Sequence, residues 1–410
     1  MLATVKHKFS LSYQDFRNEE RCRVRSLGTA GSKVASNRTP RHINSKVVLN
    51  MIRRRQPISR ADLARSSGLR ASTISLIVEE LIASHWVLEG EVANSSRGRK
   101  PMLLSLNDQR CVIAVDIHPR QTTLALTEIS GKIAWQSVLA LPEDPKKAIG
   151  RLIAAIQNAM RTHAGRNIEG IGICLPGRTD ANARDVIFAP NLRWPVVSLK
   201  AKIERATGLR VVMDNVANAC ALSEVWFSES SKVQDLVVVE VSEGLGTGIY
   251  INGAIARGKG GMAGEFGHIQ MVEDGVKCNC GNHGCWETVA SDRAAVRYYN
   301  ESPHAERHAT FSHILRLALD QDPTASAALK RMAQNLGRGM RMIAAALAPD
   351  EIVVVGEVTA AWHEIGRTVE AEMRRHSLAK DVRLRPAYDG TSARLRSTVA
   401  LVFAETFQSH

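Results

Sequence analysis

Residues 264–268 read Gly-Glu-Phe-Gly-His, and residues 278–287 read Cys-Asn-Cys-Gly-Asn-His-Gly-Cys-Trp-Glu. Together they offer one imidazole and three thiolates, a ligand set that structural Zn²⁺ prefers in a closed tetrahedral site. A loop of free thiols or a redox pair is the alternative, but a Cys-x-Cys-x4-Cys motif led by a histidine favours a metal. The spacing predicts one structural zinc ion per chain, with four ligands: His268, Cys278, Cys280 and Cys285.

Strand-like and helix-like segments alternate on both sides of this loop, from Asn107 onward. Apolar, β-branched runs predict eight strands at 111–116, 121–129, 131–139, 168–174, 211–213, 236–241, 248–251 and 352–355. Amphipathic segments at 146–164 and 324–347 predict helices between strands. An α/β fold follows for residues 107–410, and the sequence shows no tandem repeat.

Residues 44–106 follow a different pattern, of three short helices and a hairpin. The helices are predicted at 44–54, 60–66 and 72–84, with Ser59 as N-cap of the second and Gly68 in the turn after it. Strand-like runs at 86–89 and 102–106 bracket a basic segment with a glycine. The apolar faces are predicted to be Val47, Val48, Met51 and Ile52 in the first helix, Leu63 and Ala64 in the second, and Ile74, Ile77, Val78, Leu81 and Ile82 in the third. The pattern is typical of a winged helix-turn-helix.

The charge of the chain is concentrated in its first quarter. Residues 1–106 contain 19 Lys and Arg against 8 Asp and Glu, which leaves them +11 of the net +13. Lys and Arg contacts to phosphates supply the sequence-independent part of DNA affinity, but a charge run alone is more often a solvated tail. The asymmetry favours DNA binding only together with the three helices and the basic wing. Residues 1–43 lack periodicity and are expected to be a disordered basic arm. The residues expected to contact DNA are Arg70, Ser72, Thr73 and Ser75 of the third helix and Arg97, Arg99 and Lys100 of the wing.

Composition excludes several classes of protein. The apolar runs are too short to span a bilayer, and the basic N-terminus lacks an apolar signal core, so a cytoplasmic protein without membrane contact is expected. The other cysteines, Cys22, Cys111, Cys174 and Cys220, are scattered, and seven cysteines are too few for a disulfide scaffold of 410 residues.

The run from Gly253 to Glu287 resembles the signature of the ROK family of bacterial repressors, open reading frames and sugar kinases. Its carriers are Ala-Gly-Glu-Phe-Gly-His at 263–268 and the Cys-x-Cys-Gly-x-x-Gly-Cys-x-Glu element at 278–287. With the N-terminal domain of the regulator branch, the resemblance covers residues 44–410. It implies a two-lobed, actin-like and sugar-kinase-like (ribonuclease H-like) domain, with a zinc loop at 264–287 and a sugar in the cleft. The sugar contacts carried over from the family are Asn215, Glu265, His268 and Glu287.

The residues that a family kinase needs for phosphoryl transfer are altered. Its two phosphate loops read Asp-Ile-His-Pro-Arg at 116–120 and Ser-Glu-Gly-Leu-Gly at 242–246, where proline lacks an N–H and a glutamate would repel phosphate. Val216 stands where the resemblance places the catalytic Asp, and valine cannot accept a proton. Glu357 and the segment 395–398 also depart from the family pattern near the nucleotide.

These changes lead to the expectation of a regulator that is not an enzyme. It would bind operator DNA as a homodimer or a dimer of dimers and would respond to a sugar effector. An ATP-dependent sugar kinase with an auxiliary DNA-binding domain is the alternative, and a DNA-binding protein with a vestigial sugar pocket is a third.

Overall fold

A computed structural model of the chain describes residues 38–92, 102–180, 186–189, 191–192, 194–227, 234–376, 380–388 and 390–406. The helices are α1 Arg38–Arg55, α2 Arg60–Ser67, α3 Ala71–Ala83, α4 Pro145–Thr162, α5 Leu199–Thr207, α6 Val216–Phe227, α7 Trp286–Ala290, α8 Asp292–Asn300, α9 Phe311–Leu319, α10 Pro323–Leu347, α11 Trp362–Arg374 and α12 Ala393–Thr406. The strands are β1 Ile58–Ser59, β2 Val87–Val92, β3 Met102–Leu106, β4 Arg110–Ile117, β5 Thr122–Glu128, β6 Ile133–Leu139, β7 Asn167–Leu175, β8 Arg178–Thr179, β9 Val186–Phe188, β10 Val211–Asn215, β11 Leu236–Val241, β12 Leu245–Ile251, β13 Ala254–Ile255, β14 Glu351–Val355 and β15 Arg383–Pro386. The eight strands and two helices expected after Asn107 are all present.

We call the described residues 38–92 and 102–106 the N-terminal domain; they form three helices and a small sheet in the order β1-β3-β2. The Ser59 hydroxyl accepts from the backbone N–H of Asp62 at 3.2 Å and so caps α2, as predicted. Gly68 ends the same helix with φ 71°, in the left-handed region that favours glycine. Strand β1 is only two residues long, too short to give a period-2 signal in the sequence.

Two details of α1 differ from expectation. The helix begins at Arg38 rather than Asn44, because Pro40 lies in its first turn, where the missing N–H has no helical partner to lose. Residues 38–43, assigned to the disordered arm, therefore belong to a helix. Val47 is 43 % exposed, so its predicted inward position is wrong, and the buried face comprises Val48, Leu49 and Ile52.

The two five-stranded sheets repeat one topology. In the first lobe the order is β6-β5-β4-β7-β10, and in the second lobe it is β13-β12-β11-β14-β15. In each sheet, the first three strands along the chain pair antiparallel with one another. The two later strands add on the other side of the first strand and run parallel to it. The chain is therefore duplicated in topology although no tandem repeat is visible in its sequence, since the pattern of strand directions can persist when side chains diverge.

Helices α6 and α12 pack against each other between the two sheets. Two glycines allow them to approach the strands. A Cβ on Gly172 of β7 would lie 2.3 Å from the Thr398 carbonyl oxygen of α12, and one on Gly248 of β12 would lie 2.1 Å from that of Ala217 in α6. A side chain at either position would force the helix off its sheet. The cleft between the lobes opens where these helices begin.

None of the helices that the structure describes has both the length and the apolar composition needed to cross a bilayer.

Candidate functional site

The cleft between the lobes is lined by residues of both lobes. The first lobe supplies Gly177, Arg178, Thr179, Asn191, Asn215, Val216 and Asn218, and the second lobe supplies Glu243, Gly244, Glu265, His268, Asn279 and Glu287. All four residues that the resemblance assigned to a sugar line this one cavity. Arg178, Asn191 and Asn279 were not predicted: Arg178 and Asn191 lie outside any motif of the sequence, and Asn279 lies within the Cys-x-Cys motif at a position that offers no metal ligand.

Two carboxylates flank the imidazole of His268. Its Nε2 lies 3.5 Å from Glu265 Oε2, and its Nδ1 lies 3.6 Å from Glu287 Oε1. Both side chains line the cavity and are partly shielded from bulk water, since that of Glu287 is 13 % exposed and that of Glu265 is 36 % exposed. Carboxylates accept hydrogen bonds only, which suits a ligand with several hydroxyl groups.

Asn215 has a structural role besides its place in the cavity. Its Nδ2 donates to the Gly177 carbonyl at 2.6 Å, and its Oδ1 accepts from the Ala217 N–H at 2.8 Å. The second bond caps the first turn of α6. One amide hydrogen and one lone pair remain, so the capacity of Asn215 for a ligand is smaller than that of either glutamate.

The sulfur and imidazole ligands predicted for a metal come together. Their ligand atoms all lie within 4.8 Å of one another. Cys280 Sγ and Cys285 Sγ are 3.8 Å apart, and Cys278 Sγ lies 3.5 Å from His268 Nδ1. A tetrahedral ion with Zn–S bonds of about 2.3 Å would separate two sulfurs by about 3.8 Å, so these distances fit a metal ion.

The loop that carries these ligands is held by its backbone and by one tryptophan. Gly281 and Gly284 have φ of 100° and 64°, as expected for a tight curl around an ion. Trp286 is fully buried, and its Nε1 donates to the Asn335 carbonyl of α10 at 2.9 Å. The four candidate metal ligands and Glu287 are therefore anchored to the core of the second lobe.

The segments 116–120 and 242–246, which the resemblance likens to phosphate loops, are joined across the cleft by contacts of Glu243 with His118 and Arg120. They are the first hairpin turn of each lobe, between β4 and β5 and between β11 and β12. Glu243 lies 2.7 Å from His118 Nε2 and 2.6 Å from Arg120 Nε. Burial acts to raise the pKa of Glu243, but the hydrogen bond to His118 and the charges of His118 and Arg120 outweigh it and lower that pKa. A carboxylate from one loop thus lies against an imidazole and a guanidinium of the other.

Arg394, at the start of α12, forms a second link between the lobes. Its Nε and Nη2 donate to Asp116 of β4 at 2.8 and 2.7 Å, and its Nη1 donates to Glu240 of β11 at 2.5 Å. The arginine is 8 % exposed. The sequence does not predict this triad, because its three members are far apart in the chain and no local motif marks Arg394 as the partner of two carboxylates.

Val216, at the position that the resemblance assigns to the catalytic base, and the nearby Asp214 are both buried. Val216 is 3 % exposed and lines the cavity. Asp214, one residue away from Asn215, is buried and accepts from both Arg257 amino groups, at 2.9 and 2.5 Å. Its carboxylate also accepts from the Asn215 N–H at 2.7 Å. The neighbouring aspartate is therefore engaged in a buried ion pair and does not line the cavity.

The residues predicted to contact DNA divide into two groups. Arg70 and Ser72 are exposed at the start of α3, and Thr73 and Ser75 are half-buried there. The stripe of Ile74, Ile77, Val78 and Leu81 is buried as predicted, whereas Ile82 is half-buried. Arg97, Arg99 and Lys100 lie outside the described residues.

The duplicated α/β lobes and the cavity between them define the sugar-kinase-like fold. A model of the ROK family matches residues 112–404, and the chain belongs to that family. A putative xylose repressor from Caldicellulosiruptor sp. (strain Rt8B.4) is 34 % identical over 334 residues, which cover 77 % of this chain and 83 % of the relative.

Several solved structures are similar to the chain, among them a regulator and a glucokinase. The first is a ROK family transcriptional regulator, a homolog of the E. coli MLC protein, with TM-score 0.71 and 28 % identity over 90 % of this chain and 99 % of its own. The second is a ROK family glucokinase from Streptomyces griseus in complex with glucose and AMPPNP, with TM-score 0.65 and 30 % identity over 71 % of this chain and 98 % of its own.

Proposed function

We propose that this chain is a sugar-responsive transcriptional repressor whose sugar-kinase-like domain binds its effector without phosphorylating it. The observation that carries the proposal is the contrast within one cleft. Glu265, His268 and Glu287 stand together as hydrogen-bonding groups, whereas Val216 replaces the base and the two phosphate loops are bridged by ion pairs. The similarity to a xylose repressor and to a ROK regulator supports the same function.

In this proposal the sugar lies between the lobes. Glu265 and Glu287 accept hydrogen bonds from pairs of hydroxyls, and the Asn215 amide adds one donor. A Zn²⁺ ion held by His268 Nδ1 and the three cysteines would supply a structural brace, since such a set leaves no open coordination position. That assignment leaves His268 Nε2 on the side of Glu265, where a carboxylate partner would fix the imidazole.

We further propose that α3 is a DNA-recognition helix. Its apolar stripe packs on the N-terminal domain, which leaves Arg70 and Ser72 of its first turn exposed for contact with base edges. The similar regulator structure covers 90 % of this chain, against 71 % for the glucokinase, which is consistent with a regulator that includes this domain. A homodimer would place two such helices on a pseudo-palindromic operator in the bacterial cytoplasm.

A sugar kinase with an auxiliary DNA-binding domain is the second candidate, favoured by the 30 % identity to the glucokinase structure. Incubation of the purified protein with ATP and a panel of pentoses, hexoses and amino sugars distinguishes the two. Turnover that is lost in Glu265→Ala and Glu287→Ala would establish the kinase. Absence of turnover, together with sugar binding that both substitutions abolish, is the result expected of the regulator.

The sugar site is tested by calorimetric titration of D-xylose, D-glucose and N-acetyl-D-glucosamine. Glu287→Gln removes a charge but keeps the shape of the side chain, and we expect affinity to fall by about 10-fold or more, since hydrogen bonds to charged groups contribute about 1.5–3 kcal/mol. Glu273→Gln, on an exposed part of the loop, is the matched control. No binding of any sugar by the native protein would indicate a vestigial pocket.

The DNA site is tested with operator fragments selected by the protein from a genomic library. Ser72→Ala and Thr73→Ala should alter sequence preference, whereas Arg97→Ala with Arg99→Ala should weaken binding to all sequences and reduce its salt dependence. Glu79→Gln, further along the exposed face of α3, is the control. Native affinity and preference in both sets would show that the DNA face is elsewhere.

A further inference from the structure

The N-terminal domain shares one hydrophobic core with the larger domain. Val48, Leu49 and Ile52 of α1 and Trp86 belong to one cluster of buried residues with Val402 and Phe403 of α12. The Trp86 and Phe403 rings meet edge to face, with centroids 5.0 Å apart. Interiors of this kind are close-packed and transmit small displacements. The proposed DNA-binding domain is therefore seated on the proposed effector domain.

Helix α6 connects the cleft with this shared core. Its first turn contributes Val216 and Asn218 to the cavity. Its last turn ends at Trp226 and Phe227, where the Trp226 carbonyl accepts from Arg53 Nη2 of α1 at 2.7 Å. The Arg53 guanidinium also lies over the Phe227 ring, 4.7 Å from its centroid. One helix of about 18 Å thus touches the ligand cavity at one end and α1 at the other.

Helix α12 makes the same connection from the other side. It begins at the interlobe arginine Arg394 and reaches Phe403 in the shared core. Between them, the Arg396 guanidinium lies 5.1 Å from the centroid of the Phe227 ring. Two cations, Arg53 and Arg396, therefore meet at one aromatic ring, and their mutual repulsion opposes the attraction of each for the ring. Burial first, and then repulsion by Arg54 and Arg396, lowers the pKa of Arg53 to about 10.

We infer that α6 and α12 form a coupling pair, which transmits the state of the cleft to the N-terminal domain through the contacts of Phe227. This inference rests on the proposed function. A sugar that draws the lobes together moves the first turns of both helices, because Asn218 and Arg394 line the cavity. Since both helices are rigid and closely packed, their far ends must move with them, and the ring of Phe227 changes its position relative to α1. A sugar acts in this way only if it binds the two arrangements with different affinity.

The test is a thermodynamic cycle on the full chain, in which operator affinity is measured with and without D-xylose, D-glucose or N-acetyl-D-glucosamine. Allosteric systems typically change affinity by about 5- to 150-fold. In Phe227→Ala we expect this ratio to fall towards one, while sugar affinity measured without DNA stays at the native value. Tyr388→Ala, at an aromatic residue that is 88 % exposed, should keep the native ratio.

Phe227→Leu is the control for a loss of folding, because it keeps an apolar side chain but removes the ring that the two guanidiniums contact. It should denature at the native temperature and give a ratio between those of the native protein and the alanine variant. A native ratio in both Phe227 variants would overturn the coupling pair and leave the proposed function intact. A native protein whose operator affinity responds to none of the three sugars would overturn the proposed function, and the coupling inference with it.

Discussion

Replacement of Arg394 by methionine should destabilise the protein strongly. The substitution keeps an unbranched apolar stem but removes the cation between Asp116 and Glu240, whose side chains are 13 % and 4 % exposed. Two buried carboxylates would then lack their shared partner. Removal of one member of a buried ion pair costs about 3–5 kcal/mol, which corresponds to a fall in Tm of about 6–20 °C for a domain of this size class.

Thermal and urea denaturation of purified variants would measure this effect. The matched control is Arg374→Met, because Arg374 also pairs with a carboxylate, Glu370, but both side chains are at least 40 % exposed. Exposed pairs contribute at most about 1 kcal/mol. The triple variant Arg394→Met, Asp116→Asn, Glu240→Gln removes the uncompensated charges and should recover most of the stability. A single variant no less stable than the control, or a triple variant no more stable than the single one, would refute this account of the triad.

Three further predictions concern the second lobe, the first of them with a control in α4 of the first lobe. Gly339→Ala should destabilise the protein by about 1–3 kcal/mol or more, because a Cβ there would lie 1.9 Å from the Trp286 ring. Gly150→Ala should stabilise it slightly, because Gly150 is an exposed helical glycine whose added Cβ would have no atom within 4 Å. Urea denaturation of the two variants would distinguish these effects. Burial, and then the neighbouring carboxylates, raise the pKa of Asp292 in the folded protein. Its contribution to stability is therefore present at low pH and is lost as pH rises from the pKa of the unfolded chain towards that of the folded protein. Asp292→Asn should stabilise the protein at pH 7 and flatten the pH profile of its unfolding free energy, and an unchanged profile would contradict the raised pKa. Metal analysis should find about one zinc per chain, and chelation should lower Tm and weaken sugar binding, whereas a metal-free protein with native Tm would exclude the structural role.

Much of this protein was predictable from its sequence, because the relevant signals are local. The four His and Cys residues that come together lie within 18 residues of one another, the apolar stripe of α3 follows the period of one helix, and the caps of α2 are set by Ser59 and Gly68. Such features depend on short-range geometry, so the order of residues is sufficient to predict them.

Other features were decided only by the tertiary structure. Asp116 and Arg394 are 278 positions apart, and nothing near either residue predicts that they meet. The ion pairs between His118 and Glu243 and the contacts of Phe227 with two arginines likewise depend on how the lobes are placed. The repeated strand order is hidden because topology constrains strand direction and burial rather than residue identity. Long-range pairing of charges is a property of the folded chain alone, since it requires that distant segments be brought together before either charge has a partner.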